Sequence, residues 1–150
     1  MDKRSKSSSH VQRHAEDVIF PLLEEKLGLV LEKNQKIVLS DAAHIEPDFY
    51  SESGKVVGEI YSHIGTPKPG QQRKIANDIL KLLLLEKATG EKFRKIIVVC
   101  DEAVHRYLIG KSFVAESIRQ FDIEVLLVEV PSELKSEILL AQKDQEMVNA

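Results

Sequence analysis

From Val11 to Leu27 the apolar residues Val11, Ala15, Val18, Ile19, Leu22, Leu23 and Leu27 recur at helical spacing. Ser9 and Gln12 stand ahead of them in the relation of a capping box, and Gly28 supplies a stop. Pro21 lies mid-helix and predicts a kink. The pattern then changes period. Lys36–Asp41 reads as a strand, and the stretch from His44 to His63 as two more, joined at Ser53-Gly54. The segment IGTPKPG holds two prolines and two glycines and reads as a loop. A long helix follows from Gln71 to Thr89, closed by Gly90. Arg94–Asp101 and Ile123–Val130 are continuous apolar runs of strand length. A helical region separates them, and a last helix runs from Ser132. Buried strands alternating with helices predict parallel pairing with both faces covered. The expected class is α/β, in the order α-β-β-β-α-β-α-β-α: a mixed central sheet flanked by helices, antiparallel in front and parallel behind.

The hairpin has an unusual face. A turn at Ser53-Gly54 sets Asp48 opposite Glu59, Glu46 opposite Tyr61, His44 opposite His63 and Tyr50 opposite Val57, all on one side. The other side carries Ile45, Pro47, Phe49, Val56, Gly58 and Ile60 and is expected to pack on a helix. Opposed side chains have Cβ atoms ~5 Å apart. Two carboxylates that close repel unless something positive lies between them. Mg²⁺ is often held by one or two carboxylates plus water and substrate phosphate, so Asp48 and Glu59 form a candidate metal pair. The competing reading is a wet sheet face with solubilising acids. On the first helix, Glu16 falls inside the apolar arc beside Leu23, and a carboxylate there needs a partner. On the second long helix Gln72 shares a face with Ile75, Ile79 and Leu83, with Lys74 and Lys81 opposite. Lys68, Arg73, Lys74 and Lys81 stand against Asp78 alone, a modest basic patch suited to phosphates.

Composition narrows the field. With 150 residues, 43% hydrophobic and 30% charged, the chain suits one domain, residues 9–150, behind a flexible basic tail of residues 1–8. The formal net charge of -3 gives no global basic field for nucleic acid or membrane. Cys100 is the single cysteine, which excludes an internal disulfide and a cysteine-based zinc cage and fits a reducing cytoplasm. No apolar run approaches the length of a membrane span, and no apolar stretch follows the basic N-terminus as in a secretory signal.

Pro47-Asp48, the hairpin and then Glu59-Ile60-Tyr61, followed by a helix, resemble the PD-(D/E)xK nuclease superfamily. The element order resembles its restriction-endonuclease-like α-β-β-β-α-β core from about Ser9 to Val130. The resemblance implies Mg²⁺- or Mn²⁺-dependent hydrolysis of DNA, with RNA as a further substrate; from its small size such a chain is expected to form a homodimer or to work within a larger system. It implies Asp48 and Glu59 as metal ligands, with Glu16 and Gln72 assisting. The family's usual lysine position holds Tyr61, which stays neutral. Lys68, seven residues on, is the expected replacement, and Tyr61, Lys68 and Arg73 are the expected substrate contacts. An inactive module of the same fold that binds nucleic acid or protein is the alternative, and Tyr61 is its best support. A second alternative is an unrelated small-molecule-binding domain using the strand ends near Asp101 and Glu129.

Three further signals carry less. IGKS at Ile109–Ser112 lacks the first glycine of a phosphate loop, since His105 stands there. His10 and His14, four apart, read as solvent histidines at a helix end. His44 and His63 flank the acids and are not expected as ligands.

Overall fold

The computed structural model describes residues 3–149, with side chains for residues 9–147. The basic tail expected at residues 1–8 lies outside the described side chains. The chain runs α1 (Lys3–Leu27), β1 (Glu32–Lys33), β2 (Ile37–Val38), β3 (His44–Ile45), β4 (Phe49–Ser51), β5 (Val56–Tyr61) and α2 (Pro69–Thr89). It continues through β6 (Arg94–Val99), α3 (Glu102–Leu108), α4 (Phe113–Gln120), β7 (Ile123–Leu127) and α5 (Ser132–Asn149). The class is α/β, with five helices around a mixed sheet. Five strands are ordered β1-β4-β5-β6-β7, antiparallel from β1 to β5 and parallel from β5 to β7. A separate two-stranded sheet pairs β2 with β3.

Local chemistry explains several boundaries. Gly28 has φ +67°, and its N–H donates to Glu24 O at 2.8 Å, so α1 ends there. Gly90 ends α2 in the same left-handed conformation, φ +70°. The IGKS segment is a helix start: Ser112 Oγ accepts from Ala115 N–H at 3.0 Å and caps α4. The one helical region expected between β6 and β7 is two helices, broken at Ile109–Ser112.

The hairpin register is the expected one, with Phe49 paired to Gly58, Tyr50 to Val57 and Ser51 to Val56. The Lys55 N–H donates to Glu52 O across the turn. The apolar side packs on a helix as expected: Phe49, Val56 and Ile60 join Ala15, Ile19 and Leu23 of α1 in one core. Helix α5 lies on the same side, adding Leu134 and Ile138. The hairpin's first arm is shorter than expected. It breaks at Glu46–Asp48, where buried Pro47 has no N–H for a ladder. His44 and Ile45 pair with β2 instead, so His44 does not oppose His63. The strand expected over Lys36–Asp41 is correspondingly only Ile37–Val38.

The other side of β5 is not a wet face. All six of its residues are buried. Helix α2 covers Val57 with Leu82 and Leu85, and Tyr61 with Ile75 and Ile79. Glu59 lies on this side, between the two apolar clusters, and is 2% exposed. A buried carboxylate needs partners, and α2 provides one.

Candidate metal and phosphate site

Asp48 stands just before β4, beside the end of β5. Its Oδ2 accepts the Ile60 N–H at 2.7 Å, while Glu59 Oε2 accepts the Asp48 N–H at 3.3 Å. Each acid is thus held by the other's strand. The two carboxyls also share a hydrogen bond, which favours a proton on Glu59. Burial raises the Glu59 carboxyl most, and the Asp48 charge adds to it, against the pull of Lys81; the result is about 8. The ladder stops at Phe49–Gly58, so Asp48 meets Glu59 through these side-chain bonds rather than as a paired strand position.

Glu16 arrives from the other face of the sheet. It is half-buried on α1, and burial followed by the Asp48 charge raises its carboxyl above the ordinary value. Gln12, one turn earlier, hydrogen-bonds to it. Asp48 thus raises the carboxyls of both Glu16 on α1 and Glu59 on β5.

The cations come from the α2 face opposite Gln72, which the sequence pattern alone turns away from the acids. Lys81 Nζ lies 2.7 Å from Glu59 Oε1 and 3.7 Å from Asp78 Oδ1. Lys74 Nζ lies 3.6 Å from Asp78 Oδ2 and 5.9 Å from the centre of the Tyr61 ring. Asp78, 8% exposed, has its carboxyl raised by burial. Burial works to lower the Lys81 ammonium, but the charges of Glu59, Asp78 and Asp48 raise it on balance. Residues 74, 78 and 81 share a helical stripe at spacings of four and three. That stripe in a helix otherwise buried through Ile75, Ile79 and Leu82 was the available signal for this arrangement. The Lys81 ammonium is the partner that faces Glu59 Oε1 in its buried position.

The remaining expected residues lie elsewhere. Lys68 is exposed and pairs with Glu146 at 2.6 Å, so the loop does not bring its ammonium to the acids. Gln72 donates to Pro67 O at 2.9 Å and lines a groove with Arg73, Tyr107 and Phe113 on the far side of α2. Its neighbour Gln71 faces His63 across a cleft beside the acids. Tyr61 is 2% exposed, and burial raises its phenol well above the ordinary value. It is a core residue, stacked on His63 with centroids 5.2 Å apart, and presents no surface to a substrate. Burial lowers the His63 imidazole below the ordinary value, favouring its neutral form. Asp101 is occupied by the Gly65 N–H at 2.9 Å. Cys100 is buried and its thiol is pushed up to about 11, so it is unreactive near neutral pH.

No family model, curated protein or solved structure matches the chain. Among the described residues no group of three or more His, Cys, Asp and Glu is arranged to hold a metal ion, and no helix is long and apolar enough to cross a membrane. What a cation would meet is a pair of carboxylates. Two carboxylates completed by water and phosphate oxygens suit Mg²⁺ or Mn²⁺. Glu59 Oε1 already faces the Lys81 ammonium at 2.7 Å, so a cation held by this pair would have to share or displace that contact.

Proposed function

We propose that the chain is a metal-dependent phosphodiesterase acting on DNA, built on a restriction-endonuclease-like core. The observation that carries this reading is the pairing of Asp48 with buried Glu59, whose Oε1 lies 2.7 Å from the Lys81 ammonium. In this reading Asp48 and Glu59 hold Mg²⁺ or Mn²⁺. Such an ion would polarise the phosphate and lower the pKa of a bound water.

The chain's own groups have separate tasks. Asp48 and Glu59 are kept in place by backbone N–H groups of each other's strand, so their geometry does not depend on rotamer chance. Glu16, raised toward neutrality by burial and by Asp48, is suited to accept a proton from an attacking water. Lys81 takes the place of the missing strand lysine and offsets negative charge that develops on the phosphate. It does so from α2 because the strand position, Tyr61, is walled in by Ile75 and Val99. Lys74, still half in solvent, adds a second positive charge at the mouth.

One observation favours a second reading, a non-catalytic module of the same fold. Lys81 already lies against Glu59, where a cation would bind. The two readings separate in one experiment on the wild type, Asp48→Asn and Lys81→Met. Asn keeps an acceptor for the Ile60 N–H, which protects the fold. Mn²⁺ and Mg²⁺ are expected to raise the wild-type melting temperature by mass action and to leave Asp48→Asn unmoved. The wild type is expected to cut DNA with either ion, and Lys81→Met to lose ~10²-fold or more in rate. DNA binding without cleavage supports the module. A melting temperature indifferent to both ions overturns the metal pair.

A further inference from the structure

A cavity of about 250 Å³ opens beside the acids, between the start of α1, the end of β5, the first turn of α2 and α5. Val11, Gln12, Ser62, His63, Gln71 and Ile138 are among its walls. Two of these tie it to the site. Gln12 hydrogen-bonds to Glu16, and His63 feels the charge of Lys74. Its chemistry differs from that of the acids, for none of the lining side chains carries a fixed charge.

Three features describe the occupant. Gln71 Oε1 is buried and has no hydrogen-bond partner, which is costly unless a donor arrives. The last torsion of a glutamine is soft, so the amide can turn toward a donor that enters. Val11 and Ile138 supply apolar walls, and the His63 imidazole, held by its stack on Tyr61, supplies a flat one. A planar ring with an N–H at its edge satisfies all three. Adenine, guanine and cytosine carry an exocyclic amino group, and thymine a ring N–H. Bases are also bound through their flat faces by aromatic side chains, whatever the base.

We infer that this cavity takes an unpaired nucleobase of the strand whose phosphate lies at Asp48 and Glu59. The inference rests on the phosphodiesterase reading for that phosphate. It adds a substrate class: a base inside a duplex cannot enter, so the strand is single or has one base turned out. Gln71 reads the base edge and His63 carries its face.

The test uses neutral nucleosides without metal, so it does not depend on the carboxylates. Adenosine, guanosine, cytidine and thymidine are titrated into the full chain at millimolar concentration, observed by NMR. At least one is expected to bind saturably and to shift the His63 ring signals and the Gln71 side-chain amide. Gln71→Leu is expected to weaken it about tenfold, the loss of one buried hydrogen bond. Gln145→Trp, which fills the cavity from α5, is expected to abolish it, and serves where Gln71→Leu fails to fold. Absence of saturable binding by all four nucleosides overturns the inference, as does binding that both folded variants retain. Either result leaves the metal titration of Asp48 untouched. Failure of that titration, with nucleosides still bound, removes the phosphodiesterase and keeps the pocket.

Discussion

Glu59 sits at the end of a chain of causes that begins with burial. Its carboxyl is raised, so folding binds its proton more tightly than the unfolded chain does. Stability from a raised group is fully present below the unfolded pKa and is lost as pH climbs through the folded one. The window therefore runs from the ordinary value of 4.5 to about 8. Glu59→Gln removes this titration, so its melting temperature is expected to gain on the wild type as pH rises across that window. Thermal melts of both proteins from pH 5 to about 9 read the difference, and parallel curves would contradict it. The acid pair itself was legible in the sequence, because period-two alternation and a turn fix which residues oppose. The cation was not. Lys68 looked near along the chain, but proximity in sequence says nothing about where a loop turns, and Glu146 holds it. Lys81 is 22 positions from Glu59 by residue number and meets it only because α2 lies across β5.

The element that positions the site is the β4–β5 pair, and its tightest point is Gly58. A Cβ there would come within 2.2 Å of both the Ile96 carbonyl oxygen and the Phe49 ring. Phe49 lies over the glycine and has no exposure of its own. Gly58→Ala must push the strand away from β6 or expel the ring, so it is expected to destabilise by about 3 kcal/mol. Chemical denaturation measures this, and a change under ~0.5 kcal/mol would show that β5 has slack. Long elements were readable here, and short ones were not. Helix α2 and strands β6 and β7 announce themselves by sustained periodicity or apolar runs. Two-residue strands such as β1 carry too few positions for any period. The turn of the chain at Pro47 follows from a missing donor rather than from hydrophobicity.

At the scale of the whole molecule, the loop after β5 is tied to elements far away in sequence. Gln142 of α5 accepts from the Ile64 N–H at 2.8 Å and donates to the Ile64 carbonyl at 3.0 Å. Asp101 at the end of β6 holds Gly65. These contacts fix the loop where ligands gather in α/β sheets, outside the carboxyl ends of the parallel strands. Gln142→Ala is expected to speed exchange of the Ile64 amide hydrogen at least tenfold while leaving β6 amides protected. Equal rates in the two proteins would mean that Asp101 suffices.

The position of Lys81 has a consequence for how the acids tolerate burial. Two acids packed together with no cation beside them would repel each other. Here the counterion is part of the chain, bound through peptide bonds and immune to dilution. Buried Glu59 therefore keeps its counterion wherever α2 stays folded.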